Sequence, residues 1–384
     1  MVDGPRDSGA SCHNSSMQMI LAMLLILAPS PLLAQGRSAA ELEKAGWDAI
    51  RANRLPEAAD AFRGAIRLEP RSVRLMLGAG LAAHLLGRSE EARQHLVAAL
   101  ESDPTLTEAS LLLGQILYGQ GDLPGAILAH EQALVHAPED PLLAGRLEAW
   151  RREAQLHDRF SQKYGDHFTV LFEGPREEAV AKRAIELLES AYWRIGTALG
   201  AYPNGIVTVV LYTNEQFRDV TKSPAWAAAA FDGRIRVPMR GALSSTTELE
   251  RVLAHEFTHA LVHSLAPRGV PHWLSEGLAQ VFEPGGNGTA VAERPRSSAA
   301  DGAAIPLSQL ETSFEGLDGH EARAAYVQSA QAARALIDRA GTIGVLNLLS
   351  LVGEGIPFAQ AFERAMFVSY AEFQKTWNAA AGMD

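Results

Sequence analysis

Cysteine is almost missing from this chain of 384 residues, which carries only Cys12. A single thiol excludes both an internal disulfide framework and a zinc site built from cysteines. Positive charge is in deficit as well, because 34 Lys and Arg residues face 45 Asp and Glu residues and the formal net charge is -11. No basic run or patch stands out, so we expect no nucleic-acid partner.

Long apolar runs are scarce too, and the clearest one, MQMILAMLLILA, lies near the N-terminus and is followed by PSPLLAQG. This order is typical of an export signal that is cleaved after Ala34. The run is short and followed by prolines, so it fits a membrane span poorly. The segment before it lacks net positive charge, because Arg6 is offset by Asp3 and Asp7, and an uncleaved anchor is therefore the alternative. We expect residues 1–36 to be a signal peptide or an N-terminal anchor. The protein would then be exported and periplasmic or secreted, with attachment to a membrane as the variant.

A 34-residue period runs through the first third of the chain. Four sets of residues recur at this spacing, one of proline, one of glycine and two of alanine. They are Pro70, Pro104 and Pro138; Gly46, Gly80 and Gly114; Ala58, Ala92 and Ala126; and Ala65, Ala99 and Ala133. Each unit predicts two helices, with small residues where the helices approach and a proline that ends the second one. One unit cannot bury its apolar face alone, so three units stack, and the segment after Pro138 predicts a capping helix.

This pattern resembles the tetratricopeptide repeat over residues 39 to about 138. The resemblance implies an all-α helical-repeat solenoid which, with its capping helix, covers residues 37–157. It also implies a groove that receives a protein or peptide partner. No residue of the repeats identifies that partner.

Mixed patterns replace the repeat after about residue 160. HFTVLFEG and GIVTVVLYT predict strands, and EEAVAKRAIELLESAYWRIGTALG predicts a long amphipathic helix. FDGRIRVPM offers an Asp-Gly turn followed by alternation, as in a hairpin or an edge strand. TTELERVLAHEFTHALVHSLAPRG predicts another helix, capped by Thr247 with Glu250 three residues later and ending near Leu265.

That last helix carries the pattern H-E-x-x-H. Residues four apart share one face of a helix, so His255 and His259 could both bind one Zn²⁺ at roughly 2.0–2.1 Å from each ring nitrogen. Glu256 follows the first histidine and points beside such a metal, where it could take a proton from the attacking water. The pattern also arises by chance, so its context has to support it.

A catalytic zinc site takes three protein ligands and keeps one position open. His263 lies two helical turns from His255, about 12 Å along the axis, which is too far unless the helix breaks. The segment PHWLSEGLAQVFE offers His272 and Glu276 on one face of a second helix that Pro271 can begin. A helix–loop–helix could bring either one back over the metal, and the residues alone leave both open.

The order H-E-x-x-H followed by W-L-S-E-G-L-A resembles the gluzincin metallopeptidases, in which W-L-x-E-G-x-A bears the third ligand. The resemblance implies an α+β zincin-like metallopeptidase domain over residues 158–384. It implies that His255, His259 and Glu276 bind Zn²⁺ and that Glu256 is the general base. The connection of 16 residues between His259 and Glu276 is shorter than in the best-known branches and suggests a smaller relative.

The C-terminal segment AAYVQSAQAARALIDRAG is similar to the tail of small exported gluzincin domains of the peptidase-MA-like kind. That similarity implies a role for Tyr326 in stabilising the oxyanion, and the alternative is a core aromatic residue on a helix. Gln280, four residues after Glu276, is expected to orient a ligand histidine as a hydrogen-bond acceptor.

Taken together, the sequence predicts a multidomain exported zinc metallopeptidase whose repeats recruit a partner or a substrate. An edge strand at GRIRVP could pair with an extended peptide, which favours an endopeptidase acting on a peptide or protein substrate. One alternative is a repeat adaptor whose peptidase-like domain is latent or inactive. Another is a zinc hydrolase of a non-peptide amide, such as a cell-wall stem.

Overall fold

The computed structural model describes residues 37–203, 205–221, 230–239, 245–285, 305–314, 317 and 319–380. The expected signal peptide or anchor at residues 1–36 lies outside this part of the chain.

Seven helices form the first part of the described chain, as the 34-residue period predicts. They are α1 (Ala39–Arg51), α2 (Leu55–Leu68), α3 (Val73–Leu85), α4 (Ser89–Ser102), α5 (Thr107–Gly119), α6 (Leu123–His136) and α7 (Pro141–His157). The first six make three helix pairs, and each helix packs against the next one along the chain. The result is a helical-repeat solenoid that ends in the predicted additional helix.

The repeated glycines explain how the two helices of each pair approach. A Cβ atom added to Gly46 would lie 2.7 Å from the ring of Phe62, and one added to Gly80 would lie 2.9 Å from Leu96. In the third pair, a Cβ on Gly114 would lie 2.2 Å from the ring of His130. Phe62, Leu96 and His130 are themselves 34 residues apart, so each repeat places a fully buried side chain over a glycine.

A small mixed sheet follows the solenoid. Its strands are β1 (Phe160–Tyr164), β2 (Phe168–Glu173), β3 (Val207–Tyr212), β4 (Ala230–Phe231) and β5 (Ile235–Pro238), with α8 (Glu178–Leu199) and α9 (Asn214–Thr221) on either side of β3 in the chain. The order across the sheet is β1-β2-β3-β5-β4. The pairs β2–β3 and β3–β5 are parallel, while β1–β2 and β4–β5 are antiparallel.

The position of β5 corrects one prediction. The chain turns back at Asp232 and Gly233, so that β4 covers β5 on the side away from β3. Ile235 and Arg236 therefore pair with both neighbours, and GRIRVP is not an edge strand. The edge on this side of the described sheet is β4, so GRIRVP offers no free edge that would favour an endopeptidase.

The remaining helices are α10 (Thr246–Leu265), α11 (His272–Val281), α12 (Gly319–Gly353), α13 (Phe358–Met366) and α14 (Tyr370–Ala380). The predicted end of α10 at Leu265 is confirmed, but its cap is Ser245 rather than Thr247, because the Ser245 hydroxyl accepts from the Glu248 amide. Ser245 and Thr247 each precede a glutamate by three residues, so the sequence pattern fits both positions.

By length and composition, α12 is the one helix in the described part of the chain that could cross a membrane. Its backbone is interrupted at Gly341, where φ is 67° and ψ is 175°. Its buried residues pack against α11 at close range, since a Cβ on Gly277 would lie 2.2 Å from the Ser329 carbonyl oxygen. These are the contacts of a core helix, and the helix joins the same apolar core as α8, α10 and the sheet.

Candidate metal centre

The loop between α10 and α11 turns the chain back, so that the two helices face one another. His255 and His259 lie one turn apart on α10, and Glu276 lies in the middle of α11. The two histidine Nε2 atoms are 3.2 Å apart. Glu276 places Oε2 3.4 Å from Nε2 of His255 and Oε1 3.5 Å from Nε2 of His259. One ligand atom from each side chain lies within 4.8 Å of the other two.

This spacing suits a small divalent cation. Tetrahedral ligands at 2.0–2.1 Å from zinc lie roughly 3.4 Å from one another. The distances between the nitrogen and oxygen atoms of His255, His259 and Glu276 match that value. Among the described residues, these three are the group of histidine and carboxylate side chains that could hold a metal ion.

Each histidine has a polar partner on its outer nitrogen. The Nδ1 atom of His255 lies 2.8 Å from Oε1 of Glu283, and Nδ1 of His259 lies 2.9 Å from the Ser275 hydroxyl. A carboxylate only accepts hydrogen bonds, so His255 carries a proton on Nδ1, and Nε2 is the ring atom directed toward Glu276 that would bind a cation. Arg251 donates to the same Glu283 oxygen at 3.2 Å.

These contacts show that the prediction for Gln280 is wrong. Its side-chain amide donates to the backbone carbonyl of Tyr326 at 3.1 Å and so ties α11 to α12. Glu283 and Ser275 take the place that the sequence assigned to Gln280. Ser275 could have been found, because it precedes Glu276 on the same helix. Glu283 follows the end of α11 and reaches back from the turn, outside the helical spacing on which the prediction depends.

Glu256 lies beside this group and is only 6% exposed. Its Oε2 atom is buried and has no hydrogen-bond partner in the described part of the chain. Burial raises the pKa of the Glu256 carboxyl above its usual range, against the opposing effect of the two histidines. A buried carboxyl with a raised pKa and a free oxygen is suited to exchanging a proton with a molecule that enters the site.

The charges of the three side chains are strongly coupled to one another. Burial lowers the pKa of the His255 ring, but hydrogen bonds to Glu276 and Glu283 outweigh it and raise that pKa to about 10. Burial raises the pKa of Glu276, and the two histidines reverse this and lower it below its usual range. The site thus holds buried negative charge that a proton compensates, and a cation bound there would displace that proton.

The other residues predicted for the site lie at different distances from the three-residue group. His272, the rival ligand, has Nε2 3.6 Å from Oε1 of Glu276, but it lies outside the set of three mutually close ligand atoms. His263 is on the exposed side of α10 with its ring 5.4 Å from that of Phe231, away from the group. The Tyr326 ring meets Phe314 edge-on at 5.4 Å. Burial, and then the negative charges of Glu276 and Glu256, raise the Tyr326 pKa, so the phenol keeps its proton.

Comparison with known proteins bears on the solenoid. The tetratricopeptide repeat family model matches residues 43–107 and 90–142. Three solved structures are similar over about a third of the chain. The first tetratricopeptide repeat domain of Spaghetti (RPAP3), bound to the HSP90 peptide SRMEEVD, has 18% identity, a TM-score of 0.30 and coverage of 31% of this chain and 95% of that one. The OM64 domain from Arabidopsis has 18% identity, a TM-score of 0.29 and coverage of 30% and 96%.

The third structure, the Sgt2 domain from Aspergillus fumigatus, has 21% identity, a TM-score of 0.30 and coverage of 33% of this chain and 86% of that one. No curated protein matches the chain. The family match spans the helices whose 34-residue period was read from the sequence. The N-terminal part of this protein is therefore a solenoid of tetratricopeptide repeats.

Proposed function

We propose that this protein is an exported zinc metallopeptidase that hydrolyses peptide bonds and that its repeats recruit the substrate or a partner protein. The observation that carries the proposal is the convergence of His255, His259 and Glu276 at zinc-like spacing, with a buried Glu256 beside them whose Oε2 atom has no hydrogen-bond partner in the described residues. The gluzincin-like order of the motifs adds to it, since both halves of that order contribute to one site.

The roles of the residues follow from their positions. A bound Zn²⁺ would supply Lewis-acid chemistry, polarising the scissile carbonyl and making the attacking water more acidic. Glu256 would take the proton of that water and pass it to the leaving amine, since the raised pKa of its carboxyl favours reversible protonation. The neutral phenol of Tyr326 would donate a hydrogen bond to the oxyanion. Glu283 and Ser275 would hold the two histidine rings in the tautomer that binds the metal.

The repeats supply protein–protein interaction, which is the usual work of stacked helical repeats. In this proposal they hold a peptide or protein within reach of the metal centre, outside the cytoplasm. The N-terminal segment would direct export and then either be cleaved off or remain and hold the chain at a membrane.

Metal analysis of the purified chain is the first test. We expect about one Zn²⁺ per chain, lost on Glu276→Ala and retained on His263→Ala. His263 is the matched control, because it is a histidine on the same helix as His255 and His259 but lies away from the group. Equal zinc loss in both variants would show that the third ligand is wrong, and a metal-free wild type would remove the basis of the proposal.

Turnover is the second test. Glu256→Gln keeps the size of the side chain but removes the base, so hydrolysis of an unfolded-protein substrate should fall by about 10²–10⁴-fold with zinc content unchanged. Equal rates in wild type and Glu256→Gln would trace the hydrolysis to another source. If zinc-loaded wild type cleaves no peptide in a broad library while the repeats capture a protein, the hypothesis of a repeat adaptor replaces that of an enzyme. Cleavage of a cell-wall stem amide instead would keep the zinc chemistry and change the substrate.

A further inference from the structure

The turn between the two helices of each repeat contains one residue with a left-handed backbone. These residues are Asn53, Gly87 and Gly121, with φ of 54°, 72° and 88°. They are 34 residues apart and occupy the same position in the three repeats. Asparagine is one of the few residues whose side chain tolerates this conformation, so the first repeat has a polar group where the other two have glycine.

All three turn residues meet the part of the chain that follows the solenoid. The Asn53 side-chain oxygen accepts from Nη2 of Arg268 at 2.8 Å. A Cβ on Gly87 would lie 2.4 Å from Pro267. Gly121 faces Arg234, whose Nε would lie 3.7 Å from an added Cβ. The solenoid therefore rests on the later part of the chain along the edge formed by its turns.

The first two turns contact a functionally important loop. Residues 266–271 connect α10, which carries His255 and His259, to α11, which carries Glu276. Arg268 lies in the middle of this loop and also donates from Nη1 to the Gly355 carbonyl at 3.2 Å. Backbone bonds hold both ends of the loop, from the Gly269 amide to the Ala266 carbonyl at 2.8 Å and from the His272 amide to the Glu311 carbonyl at 3.0 Å, while the side chain of Arg268 connects its middle to the solenoid.

We propose that the first two repeats position the metal centre by holding this loop, a role separate from recruitment. The inference depends on the proposed metal centre, because what it fixes is the distance between the histidine pair and Glu276. Ligands have to stay within a few tenths of an ångström of their coordinating geometry, and a short loop that can shift would lose it. The contacts of Asn53 with Arg268 and of Gly87 with Pro267 act through the loop and touch no ligand, so they are positioning contacts.

Two glycine substitutions at equivalent positions of the repeat distinguish a steric clash with the loop from backbone strain in the turn. Gly87→Ala and Gly121→Ala impose similar backbone strain, since both residues have a left-handed backbone in the same repeat position. Only at position 87 does the new methyl group collide with the loop, at Pro267. At position 121 the nearest atoms are at ordinary contact distance.

The measurements use the full-length chain. Zinc affinity is measured by chelator competition, and backbone hydrogen exchange is followed in residues 266–271. We expect Gly87→Ala to raise the zinc dissociation constant by about 3–10-fold relative to Gly121→Ala, less than the 10–100-fold typical of partners that touch a ligand directly. Exchange in the loop should be faster in Gly87→Ala than in Gly121→Ala. Equal zinc affinity and equal exchange in the two variants would overturn the proposal.

A second pair covers the case in which Gly87→Ala does not fold. Asn53→Gly keeps the left-handed backbone, copies the residue found in the other repeats and removes only the bond to Arg268. We expect it to weaken zinc binding and to speed loop exchange in the same direction as Arg268→Ala, which also removes the bond to Gly355 and so has the larger effect. Unchanged values in both variants would refute the proposal. If the wild type binds no zinc, the proposed function fails. The exchange data alone then decide whether the turns hold the loop.

Discussion

His255 and Glu283 form a hydrogen bond of 2.8 Å between the outer nitrogen of the ring and a carboxylate that stands beyond the end of α11. The bond fixes the proton on Nδ1 and directs Nε2 toward Glu276. We therefore expect Glu283→Ala to weaken zinc binding about 10–100-fold, as loss of such partners usually does.

Glu248 provides the control for this prediction. It also binds the Arg251 guanidinium, at 2.6 Å, but has no hydrogen bond to His255. Glu248→Ala should therefore leave the zinc dissociation constant close to that of wild type when both are measured by competition with a fluorescent chelator. If the two variants lose equal affinity, the effect belongs to Arg251 and not to the histidine.

Removal of the Tyr326 hydroxyl can show whether this residue stabilises the oxyanion or only packs in the core. Its phenol keeps its proton because burial raises its pKa, so it can donate a hydrogen bond at neutral pH. Tyr326→Phe preserves the ring contact with Phe314 and removes only the hydroxyl. We expect kcat on a peptide substrate to fall by about 10²–10³-fold, with zinc content and melting temperature retained. Tyr164→Phe, which removes an exposed hydroxyl bonded to Gln162, should leave kcat unchanged. An unchanged kcat in Tyr326→Phe would assign that residue to the core.

His130 should make the solenoid sensitive to acid. It occupies the slot of Phe62 and Leu96, is fully buried, and neither ring nitrogen has a hydrogen-bond partner in the described chain. Burial lowers its pKa to about 4. The unfolded state, with a pKa near 6.5, takes up the proton first as the pH falls. Protonation of His130 therefore does not oppose folding above pH 6.5, and as the pH falls from about 6.5 to 4 the free energy of unfolding decreases by up to roughly 3 kcal/mol.

Replacement of His130 tests the predicted direction of this pH dependence. His130→Leu copies the second repeat and removes two buried polar atoms, so it should raise the melting temperature, and more at pH 5 than at pH 7.5. His136→Gln, on the exposed end of the same helix, is the control. Several other histidines of the solenoid also have lowered pKa values, so the comparison is made on the difference between variant and wild type. A difference that does not change with pH would show that His130 is not a buried neutral base.

Arg236 is the side chain on which the junction between the solenoid and the sheet depends. It is fully buried and donates to Glu153 at 2.9 Å, to Tyr212 at 2.7 Å and to Tyr118 at 2.8 Å. Arg236→Met leaves Glu153 with Arg234 as its remaining buried cation and leaves the Tyr212 and Tyr118 hydroxyls without their donor, so it should cost about 3 kcal/mol in the free energy of unfolding by urea. Arg93→Met, which removes an exposed pair with Glu90, should hardly change it. A small loss for Arg236→Met would mean that Arg234 alone compensates the charge of Glu153.

Much of the fold could be predicted from the sequence, and the exceptions have physical causes. The 34-residue period gave the helix pairs, because each repeat satisfies its own contacts and those of its neighbours. The H-E-x-x-H helix and the glutamate helix were predictable because their spacing is local. Strand β1 was missed, since FSQKY is polar and mostly exposed and has no apolar alternation. The burial of Arg236 could not be predicted, since it depends on Glu153, which is 83 residues away in the chain.

The predicted domain boundary near residue 158 can be tested with the ion pair between Glu153 and Arg236. The repeats bury their apolar faces against one another, so residues 37–157 should fold alone, with helical circular dichroism and a cooperative thermal melt. In that fragment Glu153 no longer meets Arg236 or Arg234 and becomes accessible to water. Glu153→Gln should therefore destabilise the full chain strongly, because it removes the carboxylate that the buried Arg234 and Arg236 share and leaves Arg236 with Asp232 alone. The same substitution in the fragment should change the melting temperature little. An unfolded fragment would mean that the sheet completes the core of the solenoid. An equal loss in both proteins would mean that Glu153 stabilises α7 itself and not the junction.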